Sequence, residues 1–251
     1  MKLFVVTGAS RGMGEAIAGQ LLGDASHTVL CISRHENQSL AALALASGAI
    51  CEQWTADLAE PIAVAARLRD WLGSRDAATF AQASLINNAG VLTTIGALED
   101  CSAEELSAAL RVGLEAPLLL TAAFLRATAA WTGQRRVLNI SSGLGRRAMA
   151  GQATYCAAKA GVDHLSRAVA LDQALLANGA KIVSLAPGVI DTDMQVQLRS
   201  AEGAGFPEQA AFVRLKEAGQ LTSSKDAAAR VVGYLERADF GAVPVADVRD
   251  A

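Results

Sequence analysis

At 251 residues, 52% of them hydrophobic, the chain can bury a large core. α/β chains of this size commonly form one domain, and residues 1–251 are read as one. A net charge of −3 without a basic stripe argues against nucleic acid as a partner. Cys31, Cys51, Cys101 and Cys156 fit no C-x-x-C or metal spacing, and the three histidines are scattered, so no metal site is expected. The cysteines read as reduced thiols of a cytoplasmic protein, with Cys31 and Cys51 as small buried residues on neighbouring strands rather than a bridge. The opening Met1–Val6 runs straight into a glycine turn and reads as a strand, not a signal peptide. The most apolar stretch, Ala116–Leu125, is too short to span a bilayer, and no membrane partner is expected.

Apolar runs of strand length alternate with helical patterns along the chain. Leu3–Thr7 is the first strand, followed by a helix from Gly12 to about Leu22. Thr28–Ser33 and Ala49–Trp54 are the second and third strands. A helix over Pro61–Leu72 has its proline in the first turn, where a missing N–H costs nothing. Ser84–Asn87 is the fourth strand, and helices over Ala103–Val112 and Ala116–Ala130 follow. Arg136–Ile140 is the fifth strand, and a long helix covers Ala153–Leu176. Lys181–Ala186 is the sixth strand, and 189–222 is irregular or partly helical, with Gly203-Ala204-Gly205 as a loop. A last helix covers Asp226–Arg237, and Ala242–Val245 is a candidate edge strand. Repeated strand–helix units predict an α/β fold of the Rossmann type: a doubly wound parallel sheet of about seven strands with helices on both faces.

Ligands of such sheets lie beyond the carboxyl ends of the strands, and the polar and glycine features gather there. Gly8, Gly12 and Gly14 follow strand one, Asp57 follows strand three, and Asn87-Asn88-Ala89-Gly90 ends strand four. Ser142 follows strand five, and Pro187-Gly188 follows strand six. Glycines between a strand and a helix allow a sharp turn and close approach of a pyrophosphate to the helix amino terminus. Dinucleotide binding is therefore expected. NAD sites usually carry an acid about 20 residues beyond the glycines. Here Ser33-Arg34 ends strand two, and Arg11 lies in the glycine turn. Two guanidinium groups suit a 2′-phosphate, so NADP(H) is the expected cofactor.

Tyr155 and Lys159 are four apart on the long helix and share a face. An ammonium beside a phenol favours the phenolate, so Lys159 is expected to lower the Tyr155 pKa and make it a proton donor and acceptor. Met194, Leu198, Phe206 and Phe212 could form an apolar wall for an aromatic ketone or equally be helix core. Arg146 and Arg147, after Ser142, read as solvated surface arginines.

Together these motifs resemble the short-chain dehydrogenase/reductase family over nearly the whole chain: Thr7-Gly8-x-x-x-Gly12-x-Gly14, Asp57, Asn87-Asn88-Ala89-Gly90, Ser142, Tyr155-x-x-x-Lys159 and Pro187-Gly188-x-x-x-Thr192. The resemblance implies Ser142, Tyr155 and Lys159 as catalytic residues. It implies cofactor contacts from Gly8, Ser10, Arg11, Gly12, Met13 and Gly14, then from Ser33, Arg34, Asp57 and Leu58. Asn88, Ala89 and Gly90 would line the cofactor, with Asn87 steadying the central strand. Tyr155 and Lys159 would reach the nicotinamide end, with Pro187, Gly188, Val189 and Thr192 cradling it. The segment from Pro187 to Gln195 resembles the sepiapterin reductase and benzil reductase subgroup. One position departs from the pattern: Gly113 stands in Val112-Gly113-Leu114, where the family usually carries a catalytic asparagine.

The resemblance implies an NADPH-dependent reduction of a small-molecule ketone or diketone carbonyl, by a homodimer. Two other readings stay open on sequence: an NADPH-binding regulator impaired at Gly113, and an NADP-linked alcohol or sugar dehydrogenase working oxidatively.

Overall fold

The computed structural model describes residues 1–201 and 205–250; most of the expected Gly203-Ala204-Gly205 loop lies outside them. Seven strands form one parallel sheet: β1 (Lys2–Thr7), β2 (His27–Ser33), β3 (Ile50–Thr55), β4 (Gln82–Asn87), β5 (Gln134–Ile140), β6 (Lys181–Ala186) and β7 (Val245–Asp247). Their order across the sheet is β3-β2-β1-β4-β5-β6-β7. The chain therefore winds outward from β1 in both directions, and a crevice opens above the β1–β4 seam, where ligands of doubly wound sheets bind. β7 begins at Val245 rather than covering Ala242–Val245. Gly241, at φ +90°, still turns the chain there, and sheet pairing starts where the Ser184 amide donates to the Pro244 carbonyl at 2.8 Å.

Side chains on a strand alternate between faces, and the core divides accordingly. Phe4 and Val6 of β1 face helices α1 (Gly12–Leu21), α2 (Gln38–Ser47) and α9 (Ser224–Leu235), meeting Ile17, Leu40 and Val231. Leu3 and Val5 face α3 (Pro61–Gly73) and α5 (Ala116–Ala127), meeting Leu68, Leu120 and Phe124. The five central strands are buried along nearly their whole length, as parallel sheets covered on both faces require.

Helix α2 was not expected from the sequence. Its apolar signal is weak because only Leu40 and Ala44 are buried, while Leu45 is exposed. Its ends are nevertheless well defined: Asn37 Oδ1 accepts from the Ser39 and Leu40 amides, and Gly48 closes it at φ +80°. Helix α4 (Ala103–Leu110) starts with a capping box between Ser102 and Glu105. A π turn over Arg111–Glu115 then joins it to α5. The resulting run, Ala103–Ala127, is long and apolar enough by length and composition to cross a membrane, which Ala116–Leu125 alone is not. Half of its most apolar window is buried within the protein, as befits a core helix. The long helix is α6 (Ala153–Ala174). The segment 189–222 contains α7 (Asp193–Ser200) and α8 (Gln209–Glu217). All four cysteines are free thiols.

Candidate active site

The glycine turn is held open by its own geometry. Gly8 and Gly12 have φ of +69° and +59°, a region that side chains rarely adopt. A Cβ on Gly14 would lie 2.2 Å from the Gly8 carbonyl oxygen and 2.4 Å from Asn88 Nδ2. Glycine there lets α1 press its first turn onto the end of β1. Arg11 at the N-cap makes no side-chain capping bond, so the helix amino terminus keeps donors and dipole for an anion. These features form a cradle that suits a dinucleotide pyrophosphate.

Thr7 joins this turn to the end of β4. Its Oγ1 accepts from the amides of Asn88 and Ala89 at 2.9 and 3.0 Å, and Asn88 Nδ2 donates to the Thr7 carbonyl at 2.9 Å. Asn87 points the other way, donating to Asn139 Oδ1 at 2.8 Å and to Thr121 Oγ1 at 3.3 Å. Asn139 in turn donates to Ser166 Oγ on α6 at 2.9 Å. Asn87 thus anchors the central strands to the two helices that flank the site. Thr121, Asn139 and Ser166 were missed because single polar residues in apolar runs carry no motif.

A cleft of about 610 Å³ lies over the strand ends, and every site residue expected from the sequence lines it, from Gly8 through Ser142, Tyr155 and Lys159 to Thr192. Gln152, Gln195 and Arg249 also line it. Arg34 is exposed at the end of β2 and pairs with no carboxylate among the described residues. Arg11 donates to Asp193 at 2.9 Å, so only one of the two expected guanidinium groups is uncommitted. Asp57 is also partly engaged, accepting from the Ala59 amide at 2.9 Å.

In the cleft, Ser142 lies beside the Tyr155 phenol; its Oγ accepts from the Leu144 amide at 3.1 Å. Lys159 is buried, and its Nζ donates to the Ile140 carbonyl at 2.7 Å. That nitrogen lies 5.5 Å from the centre of the Tyr155 ring. The expected lowering of the Tyr155 pKa by Lys159 does not appear. Burial dominates and pushes the phenol up to about 12, opposed by the Ser142 hydrogen bond. Burial likewise pushes Lys159 down to about 8, with Asp163 pulling it back up.

Gly113 sits in the π turn, buried against α6. A Cβ there would lie 3.0 Å from the Ala158 Cβ, so glycine serves the close packing of the π turn beside Lys159. Arg146 is exposed, as expected, but it is also engaged: its Nε lies 3.3 Å from Asp163 Oδ2, and its Nη2 donates to the Ala246 carbonyl at 2.8 Å. Arg147 stays exposed at the cleft. Met194, Leu198 and Phe212 line the cleft, while Phe206 stacks behind Phe212 at 5.7 Å and packs with Met149. The four residues therefore divide between wall and support.

Residues 2–203 match the family model for short chain dehydrogenase. The chain belongs to the short-chain dehydrogenase/reductase family. Short-chain dehydrogenase/reductases similar to it include the benzil reductase ((S)-benzoin forming) of Bacillus cereus, 36% identical over 240 residues, covering 96% of each chain. The sepiapterin reductase of Xenopus laevis is 30% identical over 93% of this chain and 90% of its own. Among solved structures, a metagenomic short-chain oxidoreductase in complex with NADP is similar at 28% identity with a TM-score of 0.71, covering 97% of this chain and 95% of that one. This short-chain dehydrogenase/reductase is thus an oxidoreductase whose relatives include the subgroup to which the segment from Pro187 to Gln195 pointed.

Proposed function

We propose that the chain, acting as one domain over 1–251, reduces a ketone or diketone carbonyl to the alcohol with NADPH. The observation that carries this reading is the placement of Ser142, Tyr155 and Lys159 together in a cleft that runs from the glycine turn to the apolar wall of Met194, Leu198 and Phe212. Bound in this cleft, a nicotinamide dinucleotide supplies the hydride. Ser142 and Tyr155 hold the substrate oxygen, where negative charge develops. Tyr155, with its pKa raised by burial, is a protonated donor at neutral pH and gives its proton to that oxygen. Lys159 holds its ammonium 5.5 Å from the centre of the phenol ring, so the site carries a positive charge while the proton is transferred. The test is NADPH oxidation with benzil, other aromatic diketones, isatin, sepiapterin and simple sugars, with NADH for comparison. Turnover of diketones supports the reading; tight NADPH binding with no turnover of any of them sinks it.

The preference for NADPH rests on Arg34. Arg34→Ala is expected to weaken NADPH binding about 10- to 100-fold, the worth of a charge-assisted hydrogen bond, and to leave NADH binding unchanged. Parallel titrations of the two cofactors check this, and equal losses for both would remove the 2′-phosphate role.

The pH dependence follows from Lys159. Its ammonium persists below about 8 and is lost above it, so kcat/KM for reduction should fall as pH rises through that value. Lys159→Met should be slow and lack this limb. A parent profile flat from neutrality to strongly alkaline pH would contradict the assignment.

A homodimer fits the exposed leucines on the α4–α5 run and α6, among them Leu118 and Leu171. Light scattering should read the mass of two chains, and a monomer at assay concentration would exclude it.

A further inference from the structure

One buried charge beside the site has entered so far only through its pull on Lys159. Asp163 lies one helical turn beyond Lys159 on α6 and is 1% exposed. Burying a carboxylate is costly unless it is paired and hydrogen-bonded, and here it is held on several sides. Ser141 Oγ and Ser184 Oγ each donate to Oδ1 at 2.6 Å. Arg146 Nε donates to Oδ2 at 3.3 Å. The turn Gly143–Gly145 passes directly over it: a Cβ on Gly145 would lie 2.9 Å from Asp163 Oδ2 and 3.0 Å from the Lys159 carbonyl carbon. Arg146 carries the network outward, with its Nη1 3.8 Å from Asp247 Oδ2. Asp247 receives Arg249 through Nε at 2.8 Å and Nη2 at 2.6 Å.

Two of the three groups that hold Asp163 bracket the segment Ser142–Gly145. Ser141 immediately precedes Ser142, and Arg146 follows it by four positions. Ser142 itself sits at the start of a short loop, and its hydroxyl accepts from the Leu144 amide of that loop at 3.1 Å. Such a hydroxyl needs its backbone fixed from outside if it is to meet a substrate oxygen reproducibly.

We propose that Asp163 is a positioning residue for Ser142: its carboxylate clamps the chain on both sides of that serine and so holds the Ser142 hydroxyl against Tyr155. The proposal rests on the role given to Ser142 above. It also gives β7 a purpose, since Arg146 reaches β7 through the Ala246 carbonyl and the clamp is closed from that edge.

A double-mutant cycle tests it, using the carbonyl substrate turned over fastest with NADPH, and comparing the parent, Ser142→Ala, Asp163→Asn and the combination. NADPH affinity and Tm are measured on each. Asp163→Asn is expected to lower kcat about 10- to 100-fold, the cost of a small misplacement, with KM and NADPH affinity near the parent. In the Ser142→Ala background the same change should cost almost nothing, because residues that act as a unit are not additive. The same loss in both backgrounds, or parental kcat in Asp163→Asn, overturns the proposal. Parental turnover in Ser142→Ala overturns the functional reading of Ser142 and the clamp with it, a result separable from failure of the clamp alone. If Asp163→Asn does not fold, Ser141→Ala removes one grip and leaves the ion pair. It should lower kcat only where Ser142 is present, and unchanged kcat in that variant overturns the clamp.

Discussion

Tyr155→Phe is expected to bind NADPH as the parent does and to reduce ketones about a thousandfold more slowly, the upper range for loss of a general acid. The phenol ring is packed within the cleft and phenylalanine fills the same space, so Tm should change little. What goes is the oxygen that carries the proton. Ser142 still reaches the substrate oxygen but has no partner to replenish it. Lys159 is anchored to the Ile140 carbonyl and does not take the vacated place. Steady-state turnover of a diketone, with NADPH affinity measured by fluorescence, decides the matter. Turnover near the parental rate would remove Tyr155 from the mechanism.

Gly14→Ala should cause a loss of similar size by a different route. The added methyl would sit 2.2 Å from the Gly8 carbonyl oxygen, which is backbone and cannot swing aside. Either α1 lifts from the end of β1 or the glycine turn distorts, and both spoil the donors facing the pyrophosphate. Overpacking of this kind costs about 1–3 kcal/mol of stability, a fall of several degrees in Tm for a chain of this length. NADPH affinity should drop about 100-fold or more, because the anion site itself is displaced. Gly73→Ala is the control: nothing lies within 4 Å of a Cβ there, so affinity should be unchanged. A Gly14→Ala protein with parental NADPH affinity would mean that the turn does not need this close contact.

The rival in which the chain binds NADPH without catalysis leaned on Gly113. The close approach of the π turn to Ala158 gives that glycine a packing reason. A side chain there would push on the residue preceding Lys159. Gly113 therefore no longer counts as a sign of decay, and the retained Ser142, Tyr155 and Lys159 stand together in one cleft.

A parallel sheet, six of its strands, most of its helices and the residues expected at its carboxyl edge were legible in the sequence. They could be read because period-2 and period-3.6 apolar patterns report which faces are buried, and because glycine turns and the Tyr155–Lys159 spacing are local. Helix α2 escaped because only two of its side chains reach the core. Only the tertiary structure decided the charge states and partners. Burial, which no local pattern reports, pushes Tyr155 up and Lys159 down. Arg11 meets Asp193 across 182 positions, and Arg146 meets the Ala246 carbonyl across 100. Asp163 is an ordinary acid on a helix in the sequence. It becomes a buried clamp only when β5, β6 and the loop after Ser142 close around it. Electrostatics and hydrogen bonding depend on distance in space and on the exclusion of water, and those are set when the chain folds.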